Sequence, residues 1–398
     1  MPELSGRAGA AAAACDGLGV SGARHLYVHL PFCSHRCGYC DFVTAVGRPD
    51  EHGTYIEAVL RELALERGLL APVLETVFLG GGTPTFTEPA ALERLLAALP
   101  VAAEVTVEAN PETVTRELAA LLRRHRVNRV SLGAQSFDPR LLAVLERVAG
   151  PDDVRRAFSL LRDAGFDNLS LDLIYGIPGQ SAADLGRDLA AALALEPEHL
   201  SAYELEAKPG TRFTHAHGDE LSRQAESMES YFELAVKTLT GAGYRWYETA
   251  NFCRLGDGGS GPAGGEPPAG RDLRALHNLG YWLGHDYLGL GVGAVSTIES
   301  RRWRNAPSLP GYVAALTAGH RPPREREELP REVRETERVM LGLRLDEPLS
   351  IAGAGGMLDL DELARLERLG LAKRRGETMT LTASGRFLGD GVTAALLL

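Results

Sequence analysis

Three of the chain's five cysteines fall within eight residues, in the stretch "YVHLPFCSHRCGYCDF" from Tyr27 to Phe42. Cys33, Cys37 and Cys40 follow the spacing C-x3-C-x2-C in a loop directly after a strand-like run. Thiolates bind soft metals, so the candidates are zinc and an iron-sulfur cluster. Zinc needs a fourth ligand, for which His29 or His35 would serve, although structural zinc sites usually bring cysteines in separated pairs. A [4Fe-4S] cluster on three cysteines leaves one iron open to a substrate or cosubstrate. Five cysteines are an odd number, and three lie too close together for a disulfide framework, so a reducing, cytoplasmic compartment is expected. Cys253 reads as a buried free thiol and Cys15 as incidental.

Further along the chain, polar residues recur at the ends of strand-like runs. "FLGGGTPTF" (Phe78 to Phe86) sets three glycines after a strand, where the backbone must approach something closely or adopt a conformation closed to other residues. The alternative is a tight strand-to-helix turn; a P-loop is disfavoured because no GK[ST] follows. Glu108 in "VTVEANP" could accept hydrogen bonds from a ribose or an amine. Gln135 in "SLGAQSFD" and Asp172 in "LSLDLIYGIPGQ" hold equivalent places, and Arg147 could grip a carboxylate bidentately. Each of these, taken alone, is as readily a satisfied structural group.

The elements that must position these residues alternate. "HLYVHL", "ETVFLG", "EVTVEA", "RVSLGA", "NLSLDLI" and "HLSAYEL" read as strands. The segments Thr54–Leu70, Ala90–Leu99, Arg116–His125, Pro139–Val148, Val154–Ala164 and Ser181–Leu195 read as helices. Such alternation implies parallel strands with right-handed crossovers, an α/β fold of the incomplete (β/α)6 barrel type, with functional residues at the C-terminal strand ends. This barrel is expected over residues 24–240. A loose Ala/Gly-rich leader over 1–23 precedes it, too short and weakly apolar for a membrane span and without a signal-peptide core. An extension over 241–324 follows, with a helix over Ala225–Ala242 leading into it, a strand in "YRWYETANF", a Gly/Pro-rich surface insertion over 254–272 and a compact motif "HNLGYWLGHDYLGLGVGAVS" from His277. From Glu325 the charge-rich "REREELPREVRETERVMLGLRL" reads as helical, opening a small winged-helix-like α+β domain over 325–398. Its Glu and Asp content favours packing or protein contact over DNA.

Composition agrees: 44% hydrophobic and 24% charged residues over 398 positions describe a globular protein, and a formal net charge of -11 argues against a nucleic-acid partner.

The combination of "YVHLPFCSHRCGYCDF", "GGGTPT", "EANPE", "GAQSFD", "DLIYGIPGQ" and "HNLGYW" resembles the radical S-adenosylmethionine (SAM) superfamily, in its oxygen-independent coproporphyrinogen III oxidase-like branch. The resemblance spans nearly the whole chain. It implies a [4Fe-4S] cluster on Cys33, Cys37 and Cys40, with SAM chelating the open iron and cleaved by an electron from the cluster. It places Tyr27, Tyr39, Gly81, Gly82, Thr83, Glu108, Gln135, Arg147 and Asp172 around SAM, Tyr39 also shielding the cluster. Two subfamilies compete, the oxidase HemN and the heme chaperone HemW. The oxidase motif usually adds a cysteine two residues past the third, where Phe42 stands here, and carries a longer N-terminal region. "HNLGYW" resembles the HNxxYW signature of the chaperone subfamily. That similarity implies heme as ligand, His277 as its candidate contact, heme-acceptor proteins and a protein reductant as partners, and leaves room for a homodimer and for peripheral membrane contact. SAM cleavage is left open, and the oxidase activity is expected to be absent. One departure stands out: Val295 occupies a place where members of the subfamily often carry a second histidine. A zinc-stabilised binding module remains the non-enzymatic alternative.

Overall fold

The computed structural model describes residues 22–208, 211–255, 271–354 and 356–398. The leader apart from its last two residues, Cys15, and the insertion over 256–270 lie outside the described residues.

Strand β1 (His25–Leu30) is followed by the two-residue strands β2 (Phe32–Cys33) and β3 (Ala45–Val46), which pair in parallel. The next strands are β4 (Leu74–Gly81), β5 (Ala102–Ala109), β6 (Arg129–Gln135), β7 (Leu169–Tyr175) and β8 (His199–Glu204). They alternate with helices α1 (Pro49–Glu66), α2 (Pro89–Ala98), α3 (Arg116–Arg124), α4 (Pro139–Val144), α5 (Pro151–Asp163) and α6 (Ala182–Leu193). Local signals explain the helix starts: Thr115 and Asp138 accept from first-turn amides, and Ser181 with Asp184 forms a reciprocal capping box.

Strands β1, β4, β5, β6, β7 and β8 pair in parallel in that order. Their periodicity of two separates two faces. Leu26, Val28, Val77, Leu79, Val105, Val107, Val130, Leu132, Leu171 and Leu200 are buried in one core with Ile56, Leu92, Leu122, Phe158 and Leu189 of the surrounding helices. The alternate positions, His25, Tyr27 and His29 on β1, Glu104, Thr106 and Glu108 on β5, and Ser170 and Asp172 on β7, belong to the opposite, inward face. The lumen is therefore polar and rich in titratable groups.

Beyond β8 come α7 (Arg212–Ala225), α8 (Met228–Gly241), β9 (Tyr244–Trp246) and β10 (Asn251–Arg254). "YRWYETANF" is thus two short strands and a turn rather than one strand, because Glu248 accepts from the Ala250 amide and the Asn251 side chain and folds the chain back. Helix α9 (Leu276–Trp282) precedes β11 (Tyr287–Leu290), which docks in parallel on the free side of β1 as a seventh parallel strand. Antiparallel strands β12 (Val295–Ile298), β13 (Arg301–Asn305) and β14 (Arg324–Glu328) extend that side, with α10 (Leu309–Thr317) between the last two. The sheet of twelve strands runs β14-β13-β12-β11-β1-β4-β5-β6-β7-β8-β10-β9 and stays open at β14 and β9.

The segment "REREE", expected to be helical and to open the last domain, is instead edge strand β14. Its register sets Arg302 opposite Glu327 and Arg304 opposite Glu325, so cross-strand charge pairing outweighs local helix preference, and a charged edge discourages further strand addition. The C-terminal module accordingly begins after Leu329. It comprises α11 (Arg331–Gly342), β15 (Leu349–Ser350), α12 (Leu360–Arg368), β16 (Ala372–Arg375), β17 (Thr378–Leu381), α13 (Ala383–Phe387) and α14 (Gly389–Leu396), around a core of its own that includes Val339, Leu363, Leu366, Met379 and Leu396. Arg245 joins it to the main sheet through two 2.8 Å bonds to Asp346, and the Arg386 guanidinium lies 3.7 Å from the centre of the Trp246 ring. Among the described residues no helix is long and apolar enough to cross a membrane.

Candidate functional site

At the C-terminal end of β1 the pairing of β2 with β3 closes the cysteine loop. Ala45 N–H donates to the Pro31 carbonyl (2.8 Å) and Gly47 N–H to the Cys33 carbonyl (2.9 Å). Cys33 is buried at the base of this loop, while Cys37 and Cys40 are partly exposed.

Two donors reach the sulfurs. The Thr83 hydroxyl lies 3.5 Å from Cys33 Sγ, and Arg147 Nη1 lies 3.7 Å from Cys37 Sγ. Arg147 Nη2 also donates to Asn110 Oδ1 (3.1 Å) and to the Gly133 carbonyl (2.9 Å), and Asn110 Nδ2 donates to the Thr83 hydroxyl (3.1 Å). Asn110 thus joins the two sulfur contacts. Sequence reasoning passed over it, although it stands two residues after Glu108. Burial pushes the Cys33 and Cys40 thiols up, against the Thr83 hydroxyl for the first and the Phe42 amide for the second. These groups stay protonated until a metal centre displaces their protons. Burial opposes the charge of Arg147, but the surrounding Tyr39, Cys37 and Glu112 outweigh it and hold the guanidinium cationic. Tyr39 packs on the apolar cluster of Leu141, Leu145, Ile174 and Phe213.

The glycines of β4 have a geometric cause. Gly81 has φ +111°, and a Cβ there would come within 2.5 Å of the His29 ring, while a Cβ on Gly82 would sit 2.6 Å from the Pro31 carbonyl oxygen. They let β4 pass hard against the strand that carries the cysteines. Gly81 N–H donates to Glu108 Oε2 at 3.1 Å. Burial, with the charge of Asp172, raises the Glu108 carboxyl to about 7 against that bond. Asp172 accepts from the Ser131 hydroxyl at 3.1 and 3.2 Å. Gln135 sits at an irregularity in the β6–β7 register with φ +64°, a conformation that a non-glycine residue adopts only under constraint.

The donor set fits a cluster with SAM better than zinc. His29 has both ring nitrogens engaged, Nδ1 by the Tyr27 hydroxyl (3.0 Å) and Nε2 by the Val43 carbonyl (2.8 Å). His35 Nε2 lies 3.9 Å from the Glu146 carboxylate. Among the described residues, buried Arg147 Nε and Glu112 Oε2 lack partners, leaving one donor and one acceptor beside the thiols for a zwitterionic ligand.

The HNxxYW segment lies at the other end of the barrel. Helix α9 packs on β4, and the Leu276 and His277 amides donate to the Glu104 carboxylate, each at 3.3 Å. The His277 ring is 1% exposed, with Nδ1 2.7 Å from the Thr76 hydroxyl and Nε2 2.9 Å from the Tyr281 hydroxyl. Burial, with His25 nearby, lowers its pKa to about 3, so the ring is neutral. The structure therefore does not present the sequence's candidate heme contact to a ligand: an iron atom would have to replace Tyr281 or Thr76. Thr76 and Glu104, which fix the ring, carried no signal beyond their inward place in the period of two.

Tyr281 connects this end to the mouth. With Tyr27, His29, Phe42, Tyr287, Val295 and Arg304 it lines a cavity of about 230 Å³ that also touches Asp41. Val295, the departure in the glycine-rich run, is part of that wall. His285 does not line it. A larger cleft of about 840 Å³ lies beside the cysteine loop, bounded by Ser34, Phe86, Glu112, Arg116 and Val148.

Residues 27–192 match the radical SAM superfamily model. The chain is 36% identical over 389 residues to a heme chaperone HemW from Mycobacterium tuberculosis, covering 94% of each protein. It is 32% identical over 389 residues to the heme chaperone HemW of Bacillus subtilis, covering 93% of this chain and 98% of that protein. Among solved structures it superposes on the coproporphyrinogen III oxidase HemN of Escherichia coli with a TM-score of 0.76 at 22% identity, over 94% of this chain and 90% of that one. The last likeness concerns the fold alone.

Proposed function

The chain belongs to the HemW family within the radical SAM superfamily, and on that premise we propose that it binds heme and passes it to acceptor proteins. Cys33, Cys37 and Cys40 would hold a [4Fe-4S] cluster, which when bound supplies an open iron and a low-potential electron. Arg147 and Glu112 would engage the charged end of SAM, and Glu108, Gln135 and Asp172 its polar remainder, with Gly81, Gly82, Thr83, Tyr27 and Tyr39 shaping the pocket. A protein reductant, a dimeric state and a role for SAM cleavage during transfer belong to the same proposal.

The observation that carries this reading is that the HNxxYW helix, far from the cysteines in sequence, contributes Tyr281 to the cavity bounded by Asp41 and Phe42, the two residues after Cys40. Heme cargo seated at that cavity would meet aromatic faces in Phe42, Tyr281 and Tyr287 and a cation in Arg304 for a propionate. His277 would reach the iron by exchanging its Tyr281 bond; otherwise it acts by holding Tyr281 in place.

An anaerobic heme titration of the cluster-loaded protein, followed by Soret absorption, tests the reading. One heme per chain is expected, weakened at least about tenfold by Tyr281→Ala. A Soret shift in His277→Ala would make the imidazole the ligand, and an unchanged band with weaker binding would make it a positioning residue. No heme binding, with conversion of coproporphyrinogen III to protoporphyrinogen IX in the presence of SAM and reductant, would replace this reading by the oxidase.

A further inference from the structure

We propose that His25, Glu75 and His285 form a three-ligand site for a divalent transition-metal ion of the zinc type at the base of the barrel, away from the cysteine loop. The three residues are each able to offer one ligand atom, and these atoms all lie within 4.8 Å of one another. His25 Nε2 is 3.1 Å from His285 Nδ1 and 3.4 Å from Glu75 Oε2. Ligand atoms about 2.0–2.1 Å from a tetrahedral zinc ion are about 3.3 Å apart, so both separations suit a shared ion.

The groups behind the ligands hold them for this task. His25 Nδ1 bonds the Thr76 hydroxyl at 2.9 Å. Thr76 in turn lies 2.7 Å from His277 Nδ1, so with Nδ1–H donated inward His25 turns its Nε2 lone pair outward. Glu75 gives Oε1 to Arg24 at 2.8 Å and keeps Oε2 on the side of His25. His285, just beyond α9, is anchored by its own N–H to the Gly280 carbonyl at 2.9 Å, and its exposed side chain supplies the entry path. Among the described residues Arg24 is the cation paired with Glu75. Its side chain is 61% exposed, so it can swing outward while still bonding Oε1. Two imidazoles and one carboxylate leave a fourth position open to water. An ion held there would tie the starts of β1 and β4 to the segment after the HNxxYW helix, through the hydroxyl that His25 and His277 share.

The test uses the full chain with its thiols occupied by a reconstituted cluster, dialysed anaerobically against zinc, with zinc and iron counted together and the zinc environment read by X-ray absorption. A single zinc per chain with nitrogen and oxygen neighbours and no sulfur is expected, with affinity falling at least about tenfold in both His285→Ala and Glu75→Gln. Two variants are used so that a folding defect in one does not decide the result. No zinc beyond the thiol sites, or zinc bound equally well by both variants, overturns the proposal and leaves the His25–His285 contact a hydrogen bond. Neither outcome bears on heme binding.

Discussion

The two ends of one barrel treat their polar groups in opposite ways. At the mouth, Arg147 Nε and Glu112 Oε2 are buried without partners among the described residues, two thiols have their pKa values raised by burial, and Gln135 is held at positive φ. At the base, both ring nitrogens of His25, His199 and His277 have partners, while Arg129 Nε, Asn168 Oδ1 and Trp282 Nε1 are buried without one among the described residues. The same strands with the same periodicity supply both. The difference lies in what covers them. The strands' C-terminal ends run into loops that must leave room for a ligand, whereas the N-terminal ends near His25 and Thr76 are covered by α9, whose amides and side chains complete the hydrogen bonding. The unfinished bonding at the mouth leaves groups for a ligand, and the completed bonding around His277 serves stability.

The sharpest way to break this comparison is at the thiols. Cys37→Ser should abolish the iron-sulfur absorption and iron content after reconstitution, with little change in unfolding, since Cys37 is partly exposed. A retained cluster with unchanged spectrum would take Cys37 out of the ligand set. His277→Ala should do the reverse, leaving iron content intact and lowering stability by about 2–4 kcal/mol, because it opens a void and strands Thr76. Denaturant unfolding within about 0.5 kcal/mol of the parent would show the base to be less tightly built than its hydrogen bonding implies.

Acid should separate the two ends next. The folded pKa of His277 is lowered to about 3, so the unfolded chain takes up that proton first. The stability it contributes is complete above the ordinary histidine value near 6.5 and is lost as pH falls toward 3, at up to about 1.4 kcal/mol per pH unit. Glu108 has the opposite sign. Its pKa is raised to about 7, so its contribution is complete below the usual carboxylate value and is lost as pH rises through 7. Stability profiles of His277→Gln and Glu108→Gln, each subtracted from that of the parent, should slope in opposite directions between pH 4.5 and 6.5, and slopes of one sign would refute the assignment. The smallest effect is expected at Asp172, whose replacement by Ala should weaken SAM binding several-fold in equilibrium dialysis while leaving the cluster unchanged. Equal affinity would take Asp172 out of the pocket.

Much of this protein was legible in its sequence. The six parallel strands fall on the runs that alternate β-branched and polar residues, and the three-thiol spacing pointed to soft-metal binding because few other structures require such crowding. Glu108 stands near the end of β5 as expected, whereas Asp172 lies in the middle of β7 and Arg147 falls just beyond α4 rather than within it. Asn110 was missed because an asparagine before a proline reads as a turn, and its role as a bridge between Thr83 and Arg147 exists only once β4, β5 and the segment after β6 are assembled. The segment "REREE" was misread because charge-rich composition suggests helix, whereas its partner strand β13 supplies a register of opposite charges that makes an extended edge favourable. Nothing local announced β11 as a seventh parallel strand, since pairing with β1 joins residues remote in the chain.

The sequence by itself determined the alternation of elements, the crowding of three thiols after one strand and the family. Those are properties of residue type and short spacing, which local sterics and ligand chemistry dictate. Tertiary structure alone decided which end of the barrel each polar residue serves. His277 became a buried, doubly bonded ring, Tyr281 became the wall of a cavity beside the cysteine loop, and His25 met His285. Each of these depends on burial and on contacts between residues far apart in sequence, and no periodicity along one segment encodes them.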